Sequence, residues 1–200
     1  DDMEETWTRL LIESPVPYRA PKLVLFREGV DSACGYQGSA VGPFYCPGDQ
    51  KVYLDLSFFD DLQRDLGAKG DFARAYVVGH EIGHHLQTLL GITPRMRRAQ
   101  QQRVADKNAL SVRLELQADC LSGVWAHEAE AKGLLEPGDI REALDAAMAI
   151  GDDTLQRRAT GSVRPESWTH GSSAQRKTWF RTGYDSGRLD ACDTFSGALD

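Results

Sequence analysis

The first residues of the chain carry hydrophobic side chains at helical spacing. Trp7, Leu10 and Leu11 fall on one face of a helix, because residues three and four apart are neighbours at about 3.6 residues per turn. Ser14-Pro15-Val16-Pro17 follows directly, and proline ends a helix because it lacks the backbone N–H donor. The pattern therefore predicts an N-terminal helix within residues 1–14.

Residues 20–56 show short runs that are typical of extended chain. Lys22–Phe26 is a short apolar run, and Lys51–Leu56 alternates apolar and polar positions. Gln37–Cys46 lies between them, and its glycines and Pro43 indicate an irregular strand. Because the three runs follow one another without an intervening helix, we expect a small antiparallel sheet.

From Ser57 onward the pattern is mostly helical. Ser57 can cap a helix that runs through Leu66, and Asp71 can cap the next helix, which would end at Gly91. This second helix carries an apolar stripe formed by Ala75, Val78, Ile82, Leu86 and Leu89. Beyond it, Arg95–Arg103 is basic and rich in glutamine, which predicts a solvated helix or loop.

Three further helices are indicated in the second half of the chain. Their expected positions are about 106–132, about 137–150, and from Ser172 or Ser173 through Tyr184. No internal repeat and no long linker divides the sequence. We therefore predict a single α+β domain over residues 1–200, in which the sheet is followed by a mostly helical part over about 57–200.

Composition and charge limit the classes of protein that fit. The 200 residues are 41% hydrophobic and 26% charged, which is ordinary for a chain with one packed core. The formal net charge of −7 disfavours nucleic acid or an anionic membrane as the main partner. The apolar runs are much shorter than the roughly 20 residues of a membrane span. The start at Asp1-Asp2-Met3 suggests a processed chain from which a targeting segment or membrane anchor has been removed.

The chain contains four cysteines, Cys34, Cys46, Cys120 and Cys192. None belongs to a CxxC pair, so neither a cysteine zinc site nor a thioredoxin-type redox motif is expected. Cys34 and Cys46 flank a glycine-rich stretch that suits a local disulfide, which would leave Cys120 and Cys192 to tie the last segment to a central helix. Three pairings are possible, and four buried thiols in a cytosolic protein are the alternative. We expect two disulfides and therefore an extracytoplasmic location.

The segment Gly79-His80-Glu81-Ile82-Gly83-His84 lies within a predicted helix and carries the clearest chemistry. His80 and His84 are four residues apart, so both imidazoles lie on one helix face and can reach one ion. Zinc suits this pair because it takes nitrogen ligands in tetrahedral geometry. Glu81 projects beside the ion, where its carboxylate can take a proton from the attacking water. Two ordinary surface histidines are the plainer alternative.

A hydrolytic zinc site needs a third protein ligand and leaves the fourth position to water. A third histidine close downstream is excluded, because Gln87 and Leu90 occupy the positions where a glycine and that histidine would stand. Glu115 is the preferred ligand, since it lies between leucines in a helix and a buried carboxylate needs a cation or a donor. Asp119, one turn further on, can accept a hydrogen bond from the ring of His80. The opposite assignment and surface salt bridges of both carboxylates are the alternatives.

These residues and several longer motifs resemble a known family. His80–His84 with Glu115 and Asp119 looks like the gluzincin pattern of thermolysin-like metallopeptidases. More specifically, the chain from about Cys34 to Phe195 resembles the bacterial family called putative neutral zinc metallopeptidases. The matching stretches are 42–47, 52–55, 80–87, 111–120, 151–153 and 169–173. The resemblance implies a zincin-like α+β fold, hydrolysis of peptide bonds and an envelope or exported setting.

The same resemblance implies two roles in substrate handling. His170, just ahead of the last predicted helix, is the preferred donor to the oxyanion of a tetrahedral intermediate, with Arg176 and Tyr45 as weaker candidates. A packed or capping role for His170 is the alternative. Lys51–Leu56 is expected at the edge of the sheet, where it could pair with an extended peptide.

Two other functions fit the same residues. One is a non-catalytic module of the cell envelope that keeps zinc for structure, with His170 or Asp119 as a fourth ligand that closes the site. The other is a hydrolase that acts on a non-peptide amide. A zinc-dependent peptidase is the preferred interpretation, because a structural zinc site gives Glu81 no role.

Overall fold

The computed structural model of the protein describes residues 2–38, 41–64 and 70–196. These residues form a single α+β domain, which confirms the predicted fold class. The helices are α1 (Asp2–Leu10), α2 (Leu56–Arg64), α3 (Asp71–Leu89), α4 (Ile92–Gln102), α5 (Lys107–Ala131), α6 (Asp139–Ala149), α7 (Asp152–Thr160) and α8 (Ser173–Ser186). The strands are β1 (Lys22–Phe26), β2 (Gly29–Ser32), β3 (Gly35–Gly38), β4 (Phe44–Cys46) and β5 (Lys51–Asp55).

The three-stranded sheet is mixed rather than antiparallel. Its strand order is β1-β5-β4, with β1 parallel to β5 and β4 antiparallel to it. β2 and β3 form a separate antiparallel hairpin. The residues between β1 and β5 carry the chain back to the start of the sheet, so β5 enters in the same direction as β1. The prediction of a wholly antiparallel sheet is therefore wrong.

β5 is the central strand of this sheet. Val52 pairs with Leu23 of β1 on one side and with Tyr45 of β4 on the other. β5 has a partner strand on each side, along its whole length on the β1 side and over residues 51–53 on the β4 side. The prediction that it lies at the sheet edge and pairs with a peptide is therefore wrong. Val52 and Leu54 are buried in the main core against the helices, which explains the alternating pattern seen in the sequence.

The helical part follows the predicted periodicity, with corrections at two helix starts. Ser57 does not cap α2, because α2 begins at Leu56 and the Ser57 N–H donates to Oδ1 of Asp55 at 2.9 Å. The predicted end of α2, at residues 66–67, lies outside the described residues. Asp71 begins α3 but does not cap it, because Gly70 occupies the N-cap position with a φ of 105°. The backbone N–H of Phe72 instead donates to the carboxylate of Glu142 on α6 at 3.2 Å.

Local sequence patterns predict α4 and the start of α8, but they do not predict α7. The predicted basic stretch forms α4, but Met96 and Ala99 are buried against Leu110, so this helix is packed and not merely solvated. Ser172 and Gln175 form the capping box that begins α8, as the sequence predicts. The short helix α7 has no clear apolar periodicity, and the sequence pattern did not predict it.

Glycines allow three helices of the core to approach closely. A Cβ on Gly83 of α3 would lie 3.0 Å from the backbone of Ala118 on α5. A Cβ on Gly79 would lie 2.6 Å from the hydroxyl of Ser122, and one on Gly123 would lie 2.0 Å from a backbone oxygen of α8. The α3–α5 crossing thus depends on residues without side chains, and it lies directly beside the two histidines of α3.

Two disulfides are present, Cys34–Cys46 and Cys120–Cys192. The first joins the turn between β2 and β3 to the end of β4, and the second joins α5 to the short 3₁₀ turn Leu189–Cys192. No cysteine of the described residues is free. The two expected disulfides are confirmed, and the alternative of four buried thiols is wrong.

Candidate metal centre

Two imidazoles and one carboxylate converge where α3 crosses α5. Ligand atoms of His80, His84 and Glu115 all lie within 4.8 Å of one another. The Glu115 carboxylate is 3.1 Å from Nε2 of His80 and 3.4 Å from Nε2 of His84. The two histidines are one helical turn apart, so their side chains leave the same face of α3, with the rings perpendicular and their centres 4.7 Å apart. The close approach at Gly83 brings α5 within reach of both.

The electrostatics of these three residues favour a bound cation. Burial lowers the pKa of the His84 imidazole, but the adjacent Glu115 carboxylate outweighs it and raises the pKa overall. Burial opposes the ionisation of Glu115, yet the two histidines hold its pKa well below its usual range. Glu115 is therefore an ionised carboxylate in a largely buried position, which is the state in which it can bind a metal.

Asp119 lies behind His80, one turn along α5 from Glu115. Its Oδ1 is 2.8 Å from Nδ1 of His80 and accepts a hydrogen bond from the Tyr76 hydroxyl at 2.6 Å. Arg176 of α8 donates from Nε to Oδ2 at 2.9 Å and from Nη2 to Oδ1 at 3.0 Å. With both oxygens already engaged by protein donors, Asp119 is poorly placed to bind a metal itself. The geometry thus favours Glu115 as the ligand.

This network fixes the protonation of Asp119 and the orientation of the His80 ring. Burial raises the pKa of the Asp119 carboxyl, but Arg176 and His80 outweigh it and lower the pKa to about 2. Burial lowers the pKa of His80, whereas Asp119 and Glu115 raise it, with a net value of about 10. An ionised Asp119 can only accept hydrogen bonds, so Nδ1 of His80 carries a proton and Nε2 is directed towards Glu115.

Glu81 is buried on α3 between the two histidines and lines the same cleft as they do. Burial is the main influence on its carboxyl and raises the pKa, although His80 and His84 oppose the rise. A carboxylate with a raised pKa accepts a proton more readily and can return it at neutral pH. Glu81 is not a member of the group that could hold a metal, which consists of the two histidines and Glu115.

His170 lies across the cleft on the loop before α8. Its side chain is half exposed, and its Nδ1 is 3.3 Å from Oδ1 of Asp152. The other Asp152 oxygen accepts the backbone N–H groups of Thr169, His170 and Gly171 at 2.7–3.0 Å. Asp152 therefore holds both the loop and the ring. The hydrogen bond to Asp152 is the main reason that the pKa of His170 is raised, although burial opposes the rise.

The two weaker candidates for an oxyanion donor are already engaged elsewhere. Arg176 is buried and paired with Asp119, and it also contacts the Tyr76 hydroxyl at 3.2 Å. The Tyr45 hydroxyl lies 3.1 Å from Nδ1 of His85. His85 donates from Nε2 to the Arg19 carbonyl at 2.6 Å, so its ring faces away from the metal centre.

A cleft of about 830 Å³ gives solvent and ligands access to these residues. Its polar lining includes His80, Glu81, His84, Glu115 and His170. Its apolar lining includes Val41, Phe44, Phe58, Val77, Met96 and Leu155. A deep, mainly apolar cleft with a few convergent polar groups is the usual form of a small-molecule or peptide site.

Sequence reasoning missed several residues that support the site from behind. Tyr76 precedes His80 by one turn, and Gln87 follows His84 by three residues, so helical periodicity places both beside the histidines. Gln87 shares the helix face of the two histidines, which was the available local signal for it. Gln117 and Asp152 reach the site only through tertiary contacts, and although both fall within stretches that resemble the family, helical periodicity gives neither a role.

The comparisons with known proteins point to one family. Over residues 1–195 the chain matches the family described as "Putative neutral zinc metallopeptidase". It is 52% identical over 197 residues to the uncharacterized protein YpfJ of Escherichia coli K12, covering 98% of this chain and 69% of YpfJ.

A mycobacterial protein is related over nearly the same region. The uncharacterized protein Rv2575 of Mycobacterium tuberculosis H37Rv is 48% identical over 192 residues, covering 90% of this chain and 64% of Rv2575. The chain thus spans about two thirds of the length of these relatives. No solved structure gives a significant match, so the zincin-like character of the fold stays a prediction. The match across nearly the whole sequence shows that the chain belongs to the putative neutral zinc metallopeptidase family.

Proposed function

We propose that the protein is a zinc-dependent peptidase. The observation that carries this proposal is the convergence of His80, His84 and Glu115 at one wall of an open cleft, with Glu81 beside them. Two imidazole nitrogens and a carboxylate oxygen are the donor set of catalytic zinc sites, which use three protein ligands and leave one position for water. The residues therefore fit zinc by number, by chemistry and by spacing.

Glu81 and the metal ligands divide the proposed reaction between them. Zinc held by these three residues would supply Lewis acidity, which polarises a carbonyl group and makes water a stronger acid. Glu81 accepts the proton of the attacking water and passes it to the leaving amine. Its raised pKa suits both steps, and its place in the lining of the cleft gives it access to the attacking water. Asp119 holds the His80 ring so that Nε2 faces Glu115, on the side where the metal would bind.

His170 is proposed as the donor to the substrate carbonyl oxygen while negative charge develops there. It lines the cleft, and Asp152 holds its ring at Nδ1, which leaves Nε2 as the ring nitrogen available to a substrate. The Asp152 contact also raises the pKa of His170, so the protonated donor form persists closer to neutral pH.

β4 is proposed as the strand that holds an extended peptide. It lies at one edge of the sheet, and its residues Phe44 and Tyr45 line the cleft. An unpaired strand edge can bind a peptide through main-chain hydrogen bonds, with side chains entering pockets on alternate sides. The apolar lining of the cleft favours substrates with large apolar side chains next to the cleaved bond.

An extracytoplasmic location is proposed from the disulfides. Such bonds persist in oxidising compartments and are rare in the reducing cytosol. Throughout the described residues, no helix combines the length and hydrophobicity that crossing a bilayer requires.

Digestion of a peptide library tests the proposed activity directly. We expect cleavage by the zinc-loaded protein, loss of cleavage in excess chelator, and recovery when zinc is restored. Mass spectrometry of the products would also give the residues preferred around the cleaved bond. Peptides that survive intact with the zinc-loaded protein would contradict the proposal, and cleavage unaffected by the chelator would contradict the role of the metal.

Replacing Glu115 tests the third ligand. Glu115→Ala should lower bound zinc by about 10-fold or more at limiting metal, because two histidines alone make a weak site. Zinc per chain, measured by atomic emission after dialysis, is the readout. Glu130→Ala, on an exposed turn of the same helix, is the matched control and should keep its zinc. Undiminished zinc in Glu115→Ala would transfer the ligand role to another residue.

The alternative function, a non-catalytic module that keeps zinc for structure, predicts a closed metal site. It needs a fourth protein ligand, and the described residues within reach of the triad include no further member of the group. Asp119 is saturated by protein donors, and His170 is not among the residues whose ligand atoms lie within 4.8 Å of one another at the triad. The peptidase is therefore the function that the geometry supports best.

A further inference from the structure

The two histidines of the triad are supported from behind by different groups. Nδ1 of His80 faces the ionised Asp119, whereas Nδ1 of His84 lies 2.8 Å from Oε1 of Gln87. Gln87 is completely buried, and the proposed reaction makes no use of it. Because a buried amide must satisfy both its oxygen and its NH₂ group, the remaining contacts of Gln87 indicate its role.

Gln87 is bonded in turn to a second buried amide. Its Nε2 donates to the Leu114 carbonyl at 2.7 Å and to Oε1 of Gln117 at 3.1 Å. Nε2 of Gln117 donates to the backbone carbonyl of Cys192 at 3.0 Å. A continuous hydrogen-bonded path therefore runs from the C-terminal segment, across α5, to the ring of His84.

The two backbone carbonyls set the direction of every hydrogen bond in this path. A carbonyl can only accept, so Gln117 must present its NH₂ group to Cys192 and its oxygen to Gln87. Gln87 must then present its NH₂ group to Leu114 and Gln117, and its oxygen to His84. Nδ1 of His84 must therefore carry a proton, so Nε2 is the ring nitrogen that faces Glu115 and the one that would bind a metal.

The far end of the path is firmly anchored. The disulfide Cys120–Cys192 fixes Cys192 to α5. Arg113 donates to the Thr194 carbonyl at 3.2 Å and to the Phe195 carbonyl at 2.7 Å, while the Thr194 hydroxyl donates to the Arg113 carbonyl at 2.6 Å. The carbonyl that orients Gln117 thus has a fixed position against α5, the helix that carries Glu115.

We propose that Gln87 and Gln117 are positioning residues for His84, and that the C-terminal segment Leu189–Phe195 contributes to metal affinity through them. The proposal rests on the proposed function only in requiring zinc at His80, His84 and Glu115. Groups that orient a metal-binding histidine through its other ring nitrogen change metal affinity by about 10–100-fold when they are removed. Gln117 does so without touching the metal or the histidine.

The test compares two glutamines whose amide groups each bridge two elements of the fold, Gln117 in the core and Gln100 in a half-buried position. Gln117→Met removes the amide but keeps the length of the side chain. We expect the zinc dissociation constant to rise by about 10-fold, the lower end of the range for a direct partner of the histidine, because Gln117 acts through Gln87. Gln100→Met is the matched control, because Gln100 also bridges two helices by donating to the Lys107 carbonyl and the Ser111 hydroxyl, both at 2.9 Å, but has no path to a histidine. It should leave the dissociation constant within about twofold of the parent.

Zinc affinity is measured by competition with a chromophoric chelator, and the metal-free proteins are unfolded in urea to compare their stabilities. Should Gln117→Met fail to fold, Gln117→Asn with Gln100→Asn replaces the pair, since the shorter amide cannot span both partners. Unchanged affinity in the Gln117 variant, or equal weakening in both variants, would overturn the inference. A parent that binds zinc tightly but cleaves no peptide would overturn only the proposed function, and a parent that binds no zinc would overturn both.

Discussion

Glu81→Gln should leave zinc bound and lower kcat by about 10³-fold, since the amide cannot accept the proton of the attacking water. Glutamine has nearly the same shape as glutamate, so the packing between the two histidines is retained. The burial that raises the pKa of Glu81 also makes its charge unfavourable to folding, so the neutral amide should not destabilise the protein. Steady-state kinetics on a peptide found by library digestion, together with zinc per chain, is the measurement.

Two outcomes of this experiment would contradict the assignment of Glu81. Activity equal to that of the parent would show that another residue moves the proton. Loss of activity together with loss of zinc would show that Glu81 acts through the metal ligands. Glu166→Gln, the same change at an exposed position, is the control and should leave both activity and zinc content unchanged.

The second large effect concerns stability and is expected from Arg176→Met. Arg176 and Asp119 form an ion pair in which the two side chains are only 3% and 0% exposed. Removing the guanidinium leaves a buried carboxylate without its main cation, which destabilises a protein by about 3–5 kcal/mol. Urea unfolding of the metal-free protein at neutral pH measures the change in the free energy of unfolding.

The pH dependence of this difference follows from the pKa of Asp119. The folded protein lowers that pKa from 3.8 to about 2. The ion pair therefore stabilises the fold at pH values above 3.8, the pKa in the unfolded chain, and this stabilisation is lost as the pH falls towards 2. The stabilities of the parent and of Arg176→Met should therefore converge below about pH 4.

A double substitution separates the ion pair from simple packing. Adding Asp119→Asn to Arg176→Met removes the buried charge and should restore part of the lost stability, which gives a favourable coupling energy in the double-mutant cycle. A loss below about 1 kcal/mol for Arg176→Met, or a double variant no more stable than the single one, would show that the pair does not stabilise the fold.

The sequence was informative where the chemistry depends on residues within one helix. His80 and His84, like Glu115 and Asp119, are one turn apart, and helical periodicity alone places each pair on one face. That these faces meet could be guessed only from the family pattern, since no local signal specifies which helices cross. Whether the residues bind zinc stays a prediction.

The sequence was least informative where strands and distant residues come together. Alternation in Lys51–Asp55 correctly indicated a strand but could not show that both of its edges are paired. Pairing order depends on the path of the intervening chain, which residue patterns do not encode. Arg176 lies 57 residues from its partner Asp119, and only the packing of α8 on α5 brings the two together.

The two disulfides close loops of very different length, which bears on the order in which the protein matures. Cys34 and Cys46 are 12 residues apart, whereas Cys120 and Cys192 are separated by 72. Closing the longer loop costs about 1.6 kcal/mol more free energy than closing the shorter one, because more chain entropy is lost. The first bond requires only the short stretch between the β2–β3 turn and β4, but the second requires α5 to meet the segment Leu189–Cys192. The disulfide nearer the candidate metal centre is therefore expected to form second.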